Sequence, residues 1–449
     1  MEPEADVKTD LRAVSEALEL GRLQSAERLM GDLNPAEIAL LLESVPPPKR
    51  EVAWQLVPAS DEGEVLAELN DEVRTRLMKG MDTAELLAAT EGMAIDDLAD
   101  VAADLPESIT DLLIQSLNQS DRERLEAVLS YPEDSAGGLM NPSTVAVRPN
   151  VTLDVVLRYL RALGELPDHS TSLFVVDRKE QYLGTLLFSA LVTHDLNETV
   201  AAVMDDEVEA IHAETSAADV AKRFQLLDLV TAPVVDESGL LLGQITVDDV
   251  VDVITEQADH DILSMAGLDE EDDIFAPVFI SAGRRAIWLG VNLATAFLAA
   301  AVVGMFEGTL AEVVTLAILM PVVASMGGIA GSQTLTLMIR GMALGRIEDS
   351  NARWILIKEV AVGALNGIVW AVVVMLITVT FFSDWDIGFV IGAAVAINLV
   401  FAALAGVIVP VVLRRLNIDP ALAGGVVLTT VTDVVGFISF LGLGTLFLI

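Results

Sequence analysis

One acid stands inside a long apolar run near the carboxyl end, Asp433 within 420–449. An ionisable side chain at membrane depth is costly and normally faces a partner or a water-filled path. Thr429, Thr430 and Thr432 lie about one helical turn or less from it. Two readings follow. The hydroxyls of these residues or of a neighbouring helix satisfy the carboxylate, or the group supplies hard oxygen ligands. Ligands of that type suit Mg²⁺, Ca²⁺ or Mn²⁺ and leave the ion some of its water. An anion pathway would want Arg or Lys at this depth, and the run has neither.

A second motif, Gly-Gly-Ile-Ala-Gly-Ser-Gln at 327–333, also lies in an apolar run. Gly327 and Gly331 form a GxxxG, which permits close helix packing. Equally, glycines allow the backbone to open and line a cavity beside Gln333, with Gly328 and Gly331 at its wall. Outside these runs, Asp96 and Asp100 are four residues apart, as are Asp252 and Glu256. Like charges at that spacing weaken a bare helix, and a divalent cation between them removes the penalty. A solvated acidic face is the competing reading. Asp248 and Asp249 open a helix and are explained by capping and the helix dipole.

These residues need two different settings. The chain has 449 residues, a net charge of −41 and 53% hydrophobic residues. Residues 1–276 hold 58 acids and 18 bases, whereas 277–449 hold nine acids and eight bases. The first part is an acidic soluble region and the second a membrane domain. Such acidity excludes nucleic-acid binding through phosphates and attracts cations. With 6 Lys against 20 Arg, it also suits a high-salt cytoplasm. The absence of Cys excludes disulfides, Cys-ligated metals and a thiol nucleophile, and the four His (169, 194, 212 and 260) suggest no enzyme.

Five runs are long enough to span a bilayer: 286–306, 313–339, 360–383, 387–413 and 420–449. Pro321 and the Gly327–Gly328 pair are the places for the second to bend. All eight bases of this half flank the runs on one side, and the opposite loops carry acids only. By the positive-inside rule the acidic region lies in the cytoplasm and the C-terminus outside. The polar start, Met1 to Asp6, does not read as a signal peptide.

Residues 10–130 show helical periodicity, broken by stops at Val45–Pro46, Val57–Pro58 and Leu105–Pro106, which predicts a superhelical stack of short helices. From Met140 short β runs alternate with helices, twice. The run Phe174 to Asp177 and Gly184 recur 59 residues later as Pro233 to Asp236 and Gly243, whereas Met140 and Met204 are 64 apart. The first copy therefore carries about five extra residues near 164–170. Each copy reads as extended run, helix, strand, Asp/Gly turn, strand, helix. The pair resembles tandem CBS domains, which implies a binding place for adenine nucleotides or ions.

The order of parts and several phrases resemble the MgtE family of magnesium channels. The phrases are Tyr-Pro-Glu-Asp-Ser-Ala-Gly-Gly-Leu-Met at 131–140, Ala-Asp-His-Asp-Ile at 258–262, Met-Ala-Gly-Leu at 265–268, the 327–333 run, Lys358–Glu359, Asp-Pro-Ala-Leu at 419–422 and Thr-Val-Thr-Asp-Val-Val-Gly at 430–436. The resemblance covers essentially the whole chain. It implies a multidomain protein: an N-terminal helical domain at 1–132, CBS domains at 133–200 and 201–262, a connecting helix at 263–285, and a five-helix transmembrane domain at 286–449. It also implies a homodimer in a cell membrane, a pore lined by spans two and five, and closure by cytoplasmic Mg²⁺.

Carried over by motif, Asp433 matches the pore carboxylate, with Gly328, Gly331, Gln333 and Thr429 as pore-lining positions. Asp249 and Asp252 match CBS acids that meet the N-terminal domain through Mg²⁺, and Asp96 and Asp100 resemble their partners. Asp228 and Asp261 match other sensor ligands, and Asp419 an acid at the inner pore end. This sequence departs from the family at Ile329, Gly425 and Val426 in the spans, and at Gln257 and His260 where the family has acids. The rival readings are a carrier for another divalent cation such as Co²⁺, which would show an inverted repeat, and a CBS regulator anchored in the membrane, which would need only one span.

Overall fold

The computed structural model describes residues 3–164, 166, 170–268, 274–347 and 349–449. His169, most of the five-residue insertion and residues 269–273 of the connecting stretch lie outside them. The chain divides into two units, 1–258 with 271–276, and 259–270 with 277–449.

The first unit begins with short helices from Pro3–Glu19 to Gln119–Val128. Their starts follow from sequence. Asn34 and Asp82 close capping boxes with Glu37 and Glu85, and Pro35 and Pro47 occupy first turns whose N–H groups need no partner. The Pro stops end one helix and begin the next, as at Pro106 before Glu107–Ser116. The apolar faces meet around Leu41, Leu42, Val65, Leu66 and Val73, all buried. Each fully buried Leu or Val contributes about 2 kcal/mol.

Two α/β modules follow. In each, a short strand pairs in parallel with the middle strand, and the middle strand pairs antiparallel with the third. The strands are Ala146–Val147, Ser172–Val176 and Tyr182–Leu187, and in the second copy Ile211–His212, Thr231–Val235 and Leu241–Thr246. The 59-residue repeat extends to register: Ser172 faces Leu187 as Thr231 faces Thr246, with an irregularity after Val175 and after Val234. Helices Leu153–Leu163 and Ala217–Leu227 keep the offset of 64, so the extra residues fall between helix and strand. Asp177 and Asp236 build the turns by accepting backbone N–H groups from Lys179 and Gln181, and from Ser238 and Leu240. Gly184 and Gly243 stand in the third strands and not in the turns. A Cβ on Gly184 would lie 2.6 Å from the Asp205 carbonyl oxygen, and one on Gly243 2.8 Å from that of Asn141. Each copy thus admits the extended run of the other.

In the second unit five helices have the length and apolarity of membrane spans: Val278–Gly304, Val314–Ala343, Asn351–Phe382, Trp385–Arg415 and Pro420–Leu448. Two begin two turns or more before the uncharged runs predict. Arg284 and Arg285 lie inside the first helix, and Lys358 and Glu359 inside the third. A charge marks where hydrocarbon ends, and a helix continues past that point. The second helix is unbroken from Val314 through Pro321 and all of 327–333, so the packing reading of that motif is the one realised. The connecting stretch forms no separate helix in its described part. Helix Val247–Ser264 runs on from the second module, and the next helix starts at Val278.

Candidate cation sites

Within the first unit, carboxylates from the helical domain face carboxylates from the second α/β module. Helix Ile95–Ala103 brings Asp96, Asp97 and Asp100, and helix Val247–Ser264 brings Asp248, Asp249, Asp252 and Glu256. Burial pushes the Asp97 carboxyl up to about 7, with Asp96, Glu68, Asp248 and Glu64 adding repulsion. Burial likewise raises Asp249 to about 7, reinforced by Asp96 and opposed by hydrogen bonds from Thr246. Asp100 is exposed, yet the protein around it raises its carboxyl to about 7, although Arg74 pulls it down. Asp252 is raised by burial and then by Asp248, and Glu256 by burial and then by Asp71 and Asp252.

One oxygen of Asp96, Oδ1, is buried with no hydrogen-bond partner among the described residues. A buried acceptor left in that state is costly unless something positive meets it. Arg74, almost fully buried, sits instead by Asp100, which it pulls down, and donates to Asp104 at 2.7 Å and to Asp71 at 2.6 Å. Among the described residues no three acidic or His side chains converge into a ready metal cage. An ion that keeps several waters and takes one or two carboxylates fits these acids better than one needing a full cage.

The bland capping reading of Asp249 is also realised: its Oδ2 accepts from the Thr246 N–H at 3.2 Å and hydroxyl at 2.9 Å. Asp228 stands apart, exposed at the C-terminus of helix Ala217–Leu227 in a left-handed conformation with φ 52°. Asp261 is half-buried on helix Val247–Ser264. Asp419 caps the fifth span by accepting from the N–H groups of Ala421 and Leu422, and its Oδ2 lies 3.5 Å from His260 Nε2.

In the fifth span Asp433 is half-buried, and no hydrogen bond reaches it from the described residues. The neighbouring hydroxyls do not satisfy it. Thr429 donates to the Gly425 carbonyl, Thr430 to Val426 and Thr432 to Thr429. A hydroxyl whose proton is committed to its own helix presents only lone pairs, so Thr429 and Thr430 are acceptors here. Gly331 packs beneath Leu428 and Gly406, whereas Gly328 faces open space and Gln333 and Thr429 are exposed on the single chain.

Three features escape the sequence. Asp97 has no acid four residues away and Asp248 reads as a cap, and only the fold brings the two together. Glu359 stands in sequence at the opening of the third span, but it is buried, accepting from Thr334 at 3.3 Å and from Lys358 at 2.7 Å. Asn398 in the fourth span is fully buried.

This architecture defines a multipass membrane protein with a helical domain and paired CBS-type modules ahead of its spans. Three family profiles match it: an MgtE intracellular N domain at 33–134, a CBS domain at 200–256 and MgtE, divalent cation transporter, at 320–443. The magnesium transporter MgtE of Thermus thermophilus is 31% identical, over 97% of this chain and 98% of that protein. That of Bacillus subtilis is 26% identical over 95% of each. A crystal structure of the cytosolic domain of the Mg²⁺ channel MgtE in complex with ATP is 32% identical, covers 54% of this chain and 99% of that one, and has a TM-score of 0.49. The chain belongs to the MgtE family of divalent cation transporters.

Proposed function

We propose that this protein is a Mg²⁺ channel that admits Mg²⁺ to the cell and closes when cytoplasmic Mg²⁺ rises. The observation that carries the pore is Asp433, an acid inside an apolar span that no described hydrogen-bond donor satisfies. Two chains as a homodimer would set two such acids, with Thr429, Gly328 and Gln333, around a common axis, while Gly331, packed beneath Leu428, would hold the lining span in place rather than face the ion. A hydrated Mg²⁺ sheds water reluctantly, so the site would hold the ion through its water shell. The names of the full-length relatives support Mg²⁺ as cargo over Co²⁺.

Closure follows from the acid cluster. Without a cation, Asp96 repels Asp248 and Asp249, Asp97 repels Asp248 and Glu68 repels Asp252, by about 1 kcal/mol per pair at 4 Å in water and more where water is excluded. Bound Mg²⁺ reverses that sign and draws the helical domain onto the second CBS module. Helix Val247–Ser264 comes before the first span in the chain, so that movement can be passed along the chain to the membrane. Asp261 and Asp419 would add ligands along this path and Asp228 on the module surface. An adenine nucleotide would bind in the CBS pair, and the C-terminus would lie outside. Asp433→Ala should abolish or strongly reduce Mg²⁺ uptake in cells while leaving expression intact. Normal uptake in a well-expressed variant would remove the pore assignment.

A further inference from the structure

Asn398 sits at the meeting of the second, fourth and fifth spans and is completely buried. Its Nδ2 donates to the Val323 carbonyl of the second span at 2.9 Å, and its Oδ1 has no partner among the described residues. Two glycines close on the same carboxamide. A Cβ on Gly327 of the second span would lie 2.2 Å from Asn398 Nδ2, and one on Gly436 of the fifth span 2.7 Å from that atom. For Gly327 the three nearest obstacles are all atoms of Asn398. Gly436 follows Asp433 by three residues, about one turn along the same helix. The amide is therefore a block of fixed size between the two spans proposed to line the pore, one turn from the pore acid.

We infer that Asn398 is a positioning residue. Its carboxamide sets the separation and register of the second and fifth spans, and so sets where Asp433 stands. The inference rests on the pore reading above. Close backbone approach through small residues is how membrane helices pack. A polar side chain completely buried among spans persists where it holds a specific arrangement, since an unpaired acceptor there is otherwise a net loss. The charge census of a span cannot see such a residue, because Asn carries no charge.

The test uses full-length protein in proteoliposomes with Mg²⁺ and Ca²⁺ fluxes measured in parallel. Asp433→Ala serves as the control for the pore, and melting temperature in detergent serves as the control for folding. Asn398→Ala should keep a melting temperature close to wild type yet change the Mg²⁺ to Ca²⁺ flux ratio by about tenfold, the scale of one lost buried hydrogen bond. Asn398→Ser, which retains a donor, should recover part of that ratio. Gly436→Ala should reduce Mg²⁺ flux, and the double variant Gly436→Ala with Asn398→Ala should carry more Mg²⁺ than Gly436→Ala alone, because the obstacle is gone.

A wild-type flux ratio in Asn398→Ala, or no rescue in the double variant, overturns the inference. If Asn398→Ala does not fold, Asn398→Ser takes its place, alone and combined with Gly436→Ala, since its smaller side chain also removes the obstacle, and the same two readouts decide it. Full flux in Asp433→Ala would instead overturn the pore reading, and the two failures are thus distinguishable.

Discussion

Three acids of the cluster are pushed up to about 7, which would link Mg²⁺ binding at the proposed sensor to protons. With their carboxyls pushed up to about 7, Asp97, Asp100 and Asp249 share protons as a coupled group near neutral pH. The group holds fewer protons at pH 8 and more at pH 6. Mg²⁺ takes ionised carboxylates, so binding must expel these protons. Calorimetric titration of the purified protein with Mg²⁺, in buffers of different ionisation enthalpy, counts them directly. Measurable proton release is expected at pH 7, and clearly less at pH 8. The same shift has a stability sign. Because the folded values lie above the ordinary 3.8, the ionised forms oppose the folded unit at pH 8, and that opposition is relieved as pH falls through 7. From pH 8 to 6 each acid contributes at most about 1.4 kcal/mol, or about 2 kcal/mol for all three after solvent screening. In metal-free buffer the melting temperature of the cytosolic unit should rise by about 4–8 °C, and saturating Mg²⁺ should flatten the dependence. Proton release that is negligible at pH 7, or a melting temperature that falls from pH 8 to 6, would refute the reasoning.

Two further outcomes follow from the packing. Arg74→Ala leaves Asp71 and Asp104 facing each other without their cation, and should lower the stability of the cytosolic unit by about 3 kcal/mol, read as a lower melting transition that acidification partly restores. Gly184→Ala drives a Cβ into the Asp205 carbonyl and should cost about 2 kcal/mol. The sterically open Gly239→Ala should reveal only the strain of its φ of 82°, about 1 kcal/mol, and denaturant unfolding reads both.

Much of this architecture could be read from patterns that physics enforces locally. A bilayer demands about 20 apolar residues per span, so the five spans were visible. The repeat of 59 showed the two CBS modules because turn chemistry at Asp177 and Asp236 and close approach at Gly184 and Gly243 leave little freedom of sequence. Helix ends were less legible: Arg284 and Lys358 mark the edge of the hydrocarbon, not of the helix. The acid cluster was visible in part, through the spacing of Asp96 with Asp100. Asp97 and Asp248 stayed hidden because their proximity depends on one domain docking on another. Asn398 and Glu359 depend on which faces of neighbouring spans meet, a property that apolar runs do not encode.

In the proposed gating, carboxylates on helix Val247–Ser264 sense internal Mg²⁺. Patch recordings of Asp249→Asn with Asp252→Asn, with Mg²⁺ varied on the cytoplasmic side, test it most directly. Asn removes ligands and repulsion together. Since a divalent ion needs charged oxygens to displace its water, ligation should dominate, and the channels should stay open at internal Mg²⁺ levels that close the wild type. Unchanged inhibition by Mg²⁺, or closure at lower Mg²⁺ than wild type, would contradict the account.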